Sequence, residues 1–389
     1  MQLATLLKVR TITVGITLAP TDGEAWAGQL ERAAQFNAAA RARYEADGYE
    51  VQTCRVSTNP FEEWLDVSDA DGAMRTVRAL DADLQRLGIE LISLGPARTA
   101  AGLALVPEIV AVGPRIIVSG AMAPLDAAAA ERLGAAALRI AALTPGAEGN
   151  FQFCAAFNVP PGIPFFPAAY HDGGAMSFAV GCESANVLDA AITAGAPADL
   201  ERAHVTIRDA FEAALAPIEA AALALSRDHE IAYGGVDASI APSPAAAPLT
   251  DSFERLSGGQ FGGAGTLGAC ALVSSALKAL RLRTCGYSGL MLAPMEDIGL
   301  AKRGSERAYL LRDLLTYSAV CGLGLDTVPV PGDVSAATLG RLFLDISALA
   351  HRLDKPLTAR MFPVPGKGAG EMTTFENPHL CNMKIFDLA

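Results

Sequence analysis

Residues 175–194 read AMSFAVGCESANVLDAAITA and contain the repeating unit that decides the fold. A short apolar segment, residues 175–182, precedes the polar pair Glu183-Ser184 and an alanine-rich stretch at 185–194. Short apolar runs predict buried strands, and apolar residues at 3.6-residue spacing predict helices. The stretch therefore predicts a strand that leads directly into a helix, which is the basic unit of α/β folds.

The same alternation recurs along the whole chain. Besides residues 175–182, the pattern predicts strands at 9–18, 51–57, 89–94, 115–119, 151–157, 231–240, 288–293, 325–330 and 356–364. It predicts helices at 24–46, 74–87, 125–143, 185–194, 200–226, 266–280, 305–320 and 336–352. Strands that alternate with helices indicate a parallel sheet.

A closed barrel and an open doubly wound sheet both fit about ten such units. The barrel is favoured because no composition break or flexible linker divides the 389 residues. The expected architecture is a single α/β barrel domain spanning 1–389, with a Gly/Pro-rich loop segment at 363–389.

Charge and hydropathy exclude several classes of function. The chain carries 42 acidic and 30 basic residues, for a formal charge of −12, and shows no basic stripe of the kind that binds nucleic acid. Apolar runs are too short to cross a bilayer, and Lys8 and Arg10 interrupt the N-terminal one before a signal core develops. We expect a soluble, cytoplasmic protein with a small-molecule partner and no membrane or nucleic-acid partner. Assembly into a homo-oligomer is left open.

Carboxylates follow several of the apolar runs. Glu183, Asp237, Glu296, Asp297 and Asp326 each occupy such a position. Because the carboxyl ends of parallel strands meet at one rim, we expect these side chains to converge. Gathered carboxylates bind a divalent ion or exchange protons. The metal hypothesis assigns Asp237, Glu296, Asp297 and Asp326 as ligands of a divalent cation, although each alone also fits a helix cap.

His171 and Asp172 follow the stiff, proline-rich segment 158–167. A histidine beside an aspartate acts as a general acid or base or as a metal ligand. We expect Glu183 to lie near this pair and to be catalytic as well. The alternative is a surface turn formed by Asp172-Gly173-Gly174.

Two regions are candidates for binding an anionic substrate. The loop containing Gly262, Gly263, Gly265 and Thr266 precedes a helix whose free N–H groups can hold a carboxylate or phosphate. Thr266 also fits a helix N-cap, so a simple capped turn is equally compatible. Arg360 on the last predicted strand and Lys367 in a glycine-flanked loop supply positive charge.

Seven cysteines are dispersed without a CxxC spacing, which is typical of buried reduced thiols. Cys321 and Cys182 are the two candidates for a nucleophile.

Taken together, several long segments resemble the DUF711 family, which is related to the UPF0210 proteins. The matching segments cover nearly the whole chain: Phe165–His171, Asp237–Pro242, Phe261–Leu267, Gly289–Leu292 with Glu296-Asp297, Val320–Pro329, and Lys355–Leu357 through Gly366-Lys367. The resemblance implies a ten-stranded α/β barrel like that of the pyruvate formate-lyase superfamily. It implies no reaction, and a C-terminal glycyl-radical motif is missing from the sequence.

Three functional hypotheses follow. The first is an enzyme that acts on a small anion by acid–base or metal-assisted hydrolase or lyase chemistry. His171, Asp172 and Glu183 would then be catalytic. The second is a protein that binds a small molecule or assembles with a partner without catalysis. The third is a cysteine-dependent enzyme that uses Cys321 or Cys182.

Overall fold

The computed structural model describes residues 6–20, 23–195 and 200–388. Nine strands lie in this part of the chain: β1 (Lys8–Ile16), β2 (Val51–Thr58), β3 (Leu91–Ala97), β4 (Ile116–Ala121), β5 (Phe153–Phe157), β6 (Ser177–Glu183), β7 (Ala232–Ala241), β8 (Gly324–Pro331) and β9 (Leu357–Val364). All nine form one sheet in the order β7-β6-β1-β2-β3-β4-β5-β9-β8.

The sheet is mixed rather than parallel throughout. Strands β1 to β5 run parallel to one another. Strand β6 pairs antiparallel with β1, and β9 pairs antiparallel with β5. Because β7 is parallel to β6 and β8 is parallel to β9, all four strands β6 to β9 run opposite to the first five. The expectation of an entirely parallel sheet is therefore wrong.

The predicted strand at 288–293 is not formed as a regular strand. Its neighbourhood contributes two isolated parallel bridges to β7, Val236 with Thr284 and Ile240 with Leu290. The buried carboxylate of Asp237 accepts hydrogen bonds from the backbone N–H groups of Tyr287 and Ser288, which are therefore not available to a strand ladder. Strand pairing consequently leaves the sheet open between β7 and β8, with nine strands instead of the expected ten.

Helices cover the sheet: α1 (Gly23–Ala46), α2 (Ala70–Leu87), α3 (Ala100–Val110), α4 (Ala127–Leu143), α5 (Ala185–Gly195), α6 (Leu200–His229), α7 (Leu249–Ser257), α8 (Thr266–Lys278), α9 (Ile298–Ser305), α10 (Leu311–Ser318) and α11 (Ala336–Arg352). Of the predicted helix at 305–320 the structure forms α10, because α9 ends at Ser305, where the prediction begins. Arg307 has a φ of 61°, which breaks the helical backbone, and the Asp313 carboxylate accepts a hydrogen bond from the N–H of Leu310 at the start of α10.

The proline-rich connection between β5 and β6 lies inside the curve of the sheet. Ile163, Phe165 and Ala168 are buried against Cys154, Tyr287, Met291 and Leu323. The hydroxyl of Thr13 donates a hydrogen bond to the carbonyl of Pro164 at 2.7 Å, and that of Ser93 donates to Ala169 at 2.6 Å. Strands β1 and β3 therefore hold this connection in place.

The C-terminal segment is irregular but packed. After β9, residues 365–388 contain one isolated bridge, between Met372 and Lys384. Phe375, Leu380, Met383 and Ile385 are nevertheless buried in the core. In the described ranges no helix is both long and apolar enough to cross a membrane.

Candidate functional site: an arginine-rich cavity inside the sheet

The reversal between β1 and β6 places the predicted site residues at two different ends of the sheet. Glu183, at the end of β6, pairs with Lys8 at the start of β1. His171 lies at the other end, where its N–H donates to the carbonyl of Thr58, the last residue of β2. β1 spans nine residues, and a rise of about 3.3 Å per residue puts its two ends roughly 25 Å apart. The expectation that His171 meets Glu183 at one rim is therefore wrong.

A cavity of about 570 Å³ lies at the Glu183 end, on the inner side of the sheet. Every one of the nine strands contributes at least one lining residue, namely Arg10, Gln52, Leu91, Ile117, Cys154, Glu183, Ala241, Asp326 and Arg360 for β1 to β9 in turn. Phe165 and Phe166 of the inserted connection and His379 of the C-terminal segment also line the cavity. Its size falls in the range of small-molecule sites.

Arg360 occupies the centre of the charged wall. Its guanidinium binds Asp326 through two N–H groups, one of them at 2.9 Å, and also binds Glu296. All three side chains are buried. Burial alone would lower the pKa of Arg360, but Asp326 and Glu296 raise it above its usual value. The arrangement is a fixed, bidentate ion pair with a second carboxylate.

Arg10 connects Glu296 to Glu183. Its two terminal nitrogens lie 3.1 Å from Glu296 and 3.5 Å from Glu183. The amide of Gln52 also donates to Glu183, at 2.8 Å. Burial raises the pKa of Glu296 even though Arg360 and Arg10 favour its ionised form. Glu296 therefore takes up a proton more readily than an exposed glutamate does.

Arg55 is the third arginine of the wall and differs from the other two. Its Nε donates to the hydroxyl of Thr53 at 2.8 Å, and its guanidinium lies over the ring of Phe166. No carboxylate of the described residues pairs with it, whereas Arg10 and Arg360 each bind two. Burial and the like charges of Arg10 and Arg360 lower the pKa of Arg55. Its positive charge is thus incompletely compensated.

His171 forms a local structural contact far from this cavity. Its Nδ1 accepts from the N–H of Gly173 at 3.3 Å, and its Nε2 lies 3.2 Å from the carbonyl of Ala175. Those partners fix a neutral ring with the proton on Nε2, and burial lowers the pKa of His171. The carboxylate of Asp172 is 3.6 Å away and largely exposed. The pair holds the turn that precedes β6.

The four predicted metal ligands do not form one cluster. Glu296 and Asp326 both bind Arg360, as described above. Asp297 caps α9 by accepting from Leu300 at 2.8 Å and also accepts from Leu249 at 2.8 Å, which confirms the capping alternative. Asp237 is saturated by Ser239, Tyr287 and Ser288. No group of three or more His, Cys, Asp or Glu side chains with metal-binding geometry is found among the residues that the structure describes.

The glycine-rich loop uses its N–H groups internally. Gly262 donates to the hydroxyl of Thr266 at 3.0 Å, and Gly263 donates to the carbonyl of Gln260 at 3.0 Å. The N-cap of α8 is Gly265, with a φ of 97°, rather than Thr266. Gly262 packs so closely on the backbone that a Cβ there would lie 2.1 Å from the carbonyl oxygen of Ala308. The geometry is that of a tight turn.

Lys367 and the two candidate cysteines also lie outside the charged wall. Lys367 donates to the carbonyl of Met372 at 2.7 Å and to the hydroxyl of Thr374 at 2.9 Å. Burial raises the pKa of Cys321 to about 11 and also raises that of Cys182. Both thiols are therefore protonated at neutral pH, and no hydrogen bond in the described chain links either of them to a histidine.

Sequence reasoning found Arg360, Glu183, Glu296 and Asp326 but missed Arg10, Gln52 and Arg55. The available signal was a charged residue within an otherwise apolar strand, since Arg10 and Arg55 lie inside β1 and β2. Long charged side chains in buried strands need partners or a polar cavity.

The sequence comparisons are consistent with one family. A family model described as "Uncharacterised ACR (DUF711)" matches residues 1–376. A UPF0210 protein of Pyrobaculum arsenaticum is 28% identical over 83% of this chain and 76% of its own length. A UPF0210 protein of Desulfovibrio desulfuricans is 26% identical over 95% of this chain and 88% of its own length. One from Bifidobacterium longum subsp. infantis is 32% identical over 58% of this chain and 52% of its own length.

Proposed function

The chain belongs to the DUF711 family, and we propose that it binds a small organic anion in the cavity inside the sheet, with Arg55 as the residue that receives the negative charge. The single observation that supports this most strongly is the state of Arg55. It faces the cavity, lies over Phe166, and has no carboxylate partner in the described chain. A buried or partly buried charge without a counter-ion is costly, and a bound anion removes that cost.

The wall around Arg55 indicates the kind of anion. Phe151, Phe165 and Phe166 line the same cavity, together with Leu91 and Met291. Arg360 also lies near an aromatic ring, with its guanidinium carbon 4.8 Å from the centre of Phe151. A ligand with one carboxylate or phosphate group and a compact apolar body fits such a surface. Arginine rather than lysine favours planar, bidentate recognition of the anionic group.

A second candidate function is acid–base catalysis on that same ligand. The observation that favours it is the raised pKa of Glu296, which lies between Arg10 and Arg360 at the cavity wall. Perturbed carboxyl groups in a cavity are candidates for proton transfer. Glu296 would exchange the proton, and Glu183, held by Arg10 and Gln52, would be the second carboxylate. His171, Asp172 and Cys321 have no part in this version.

We also propose that the sheet closes into a ten-stranded barrel, as the resemblance to the pyruvate formate-lyase superfamily implies. Support comes from the segment at 284–290, which forms bridges with β7 and whose Leu290 carbonyl accepts from the N–H of Gly322, just before β8. This segment would be the tenth strand. A barrel agrees with a cavity that all nine strands line.

Titration calorimetry with benzoate and benzamide tests the binding proposal. The two probes share a ring and nearly the same shape, but only benzoate carries a charge. We expect benzoate to bind at least about tenfold more tightly than benzamide, since about 1.4 kcal/mol separates a charge-assisted contact from a neutral one. Equal affinities, or no binding of either probe, would argue against an anion site at Arg55.

A further inference from the structure

A second cavity, of about 340 Å³, lies at the gap between β7 and β8. One face of α8 lines it through Ala271, Ser274, Ser275 and Lys278, which recur at helical spacing. Lys355, Cys321 and the backbone of Gly289 and Gly322 form the facing wall. This cavity is separate from the arginine-rich one, and Tyr287 is the residue that contributes to the lining of both.

Two lysines, Lys278 and Lys355, line this cavity. The ammonium of Lys278 donates to the carbonyl of Tyr287 at 2.7 Å, on the β7 side. The ammonium of Lys355 donates to the carbonyls of Ser318, at 2.8 Å, Ala319, at 3.4 Å, and Cys321, on the β8 side, so that it offers a ligand its charge rather than a free N–H group. Neither lysine takes part in an ion pair with a described carboxylate. Burial lowers the pKa of Lys355, Cys321 opposes this effect, and the like charge of Lys278 lowers it further.

The positive charge of Lys278 and Lys355 exceeds the negative charge of the described residues around them. Asp237 is the carboxylate whose field reaches Lys278, and its oxygens are already bound by Ser239, Tyr287 and Ser288. Lys278 is thus near one buried carboxylate that does not contact it, and the charges that act on Lys355 are those of Cys321 and Lys278. Lys278 keeps two of its three N–H donors free of acceptors among the described residues, since Tyr287 takes only one.

An unsatisfied hydroxyl provides an independent indication of a ligand. Ser274 is 8% exposed and lines this cavity, and its Oγ has no hydrogen-bond partner in the part of the chain that the structure describes. It lies one helical turn before Lys278 on the same face of α8. A buried hydroxyl without a partner is uncommon, and an oxygen-rich ligand next to Lys278 would accept its hydrogen bond.

We propose that this cavity is a second, separate anion site that binds a phosphate group between Lys278 and Lys355, with Ser274 as an added donor. A tetrahedral oxyanion accepts hydrogen bonds in several directions and carries the double charge that two ammonium groups match. The bound group would join the two sides of the gap, because Lys278 holds the 284–290 segment and Lys355 holds the end of α10. The phosphate is either a free ion or part of a small organic phosphate.

Phosphorus NMR line broadening tests this site, with inorganic phosphate and glycerol 3-phosphate as probes and chloride at matched ionic strength as the background. Arg55→Met is present in every sample, so that the arginine-rich cavity does not contribute. We expect broadening in the Arg55→Met protein and its loss in Arg55→Met/Lys278→Met. The matched control is Lys302→Met, an exposed lysine on α9, which should change nothing.

Ser274→Ala serves as the second variant because it keeps both lysines. We expect phosphate affinity at least about tenfold weaker, as for a lost hydrogen bond to a charged group. Broadening that survives Lys278→Met, or that Lys302→Met removes equally, would overturn the assignment. Broadening by glycerol 3-phosphate but not by inorganic phosphate would identify an organic phosphate as the ligand and support the site.

Discussion

The guanidinium carbon of Arg55 lies 4.9 Å from the centre of the Phe166 ring. Arg55 belongs to β2, whereas Phe166 belongs to the connection inserted between β5 and β6. The contact therefore joins the sheet to the inserted connection at the cavity wall. Cation–π contacts are weaker than ion pairs with carboxylates, so the arginine keeps the capacity to bind an anion.

Anion binding should be accompanied by proton uptake at Glu296. Three arginines, Lys8 and four carboxylates line the cavity, and an added negative charge further raises the already raised pKa of Glu296. Uptake occurs where the pH lies between the free and bound pKa, so affinity should rise as pH falls through that range. Calorimetry of benzoate binding over a series of pH values above the ordinary glutamate pKa, in buffers of different ionisation enthalpy, measures it. Glu296→Gln should abolish the buffer dependence, and a buffer-independent enthalpy in the unmodified protein would contradict the prediction.

Arg360→Met should destabilise the protein strongly. The substitution leaves Asp326 and Glu296 buried without their main partner, and breaking a buried ion pair in this way costs about 3–5 kcal/mol. Urea unfolding measures the loss. Arg139→Met is the control, because the Arg139–Glu108 pair is exposed and should cost no more than about 1 kcal/mol. Equal losses for the two variants would refute the central role of Arg360.

Gly15 and His171 should show strong energetic coupling. A Cβ on Gly15 would lie 2.2 Å from Cδ2 of the buried His171 ring. Gly15→Ala alone should cost about 1–3 kcal/mol by overpacking, and much less in a His171→Ala background. The double-mutant cycle in urea unfolding measures this coupling.

His171→Ala should leave benzoate affinity unchanged, because the ring lies at the opposite end of β1. A loss of benzoate binding in that variant would contradict the placement of His171 outside the binding site.

Gly181→Ala, a substitution in β6, should displace the connection between β5 and β6 that packs on this strand. Its Cβ would lie 2.8 Å from the ring of Phe165 and 3.0 Å from Cγ2 of Thr11, so we expect a loss of about 1–3 kcal/mol and weaker benzoate binding. Gly28→Ala is the matched control, because nothing lies within 4 Å of its Cβ. In a helix that change should be neutral or stabilise by up to about 1 kcal/mol. Thermal unfolding distinguishes the two, and identical shifts would contradict the packing argument.

Local patterns in the sequence predicted most of the elements, because buried strands and amphipathic helices carry their own periodicity. They could not predict strand direction. Nothing in residues 175–183 reveals that β6 lies antiparallel to β1, since that pairing depends on the long connection that precedes it. This single reversal moved His171 away from Glu183.

The predicted carboxylate cluster does not form, and this too depends on tertiary contacts. Asp237 and Asp297 follow apolar runs just as Glu183 and Asp326 do, but backbone N–H groups of both near and distant residues bind them. Arg55 is the side chain that distinguishes the cavity. It lies inside a short β-like segment, where the sequence pattern predicts a strand but not a binding residue. Its lack of a partner is a property of three-dimensional packing and not of spacing.

The most direct measurement is the benzoate affinity of Arg55→Met compared with that of the unmodified protein, with Arg86→Met, an exposed arginine, as the control. We predict that Arg55→Met weakens binding at least about tenfold while Arg86→Met leaves it unchanged. Benzoate that binds Arg55→Met as tightly as the unmodified protein would contradict the account.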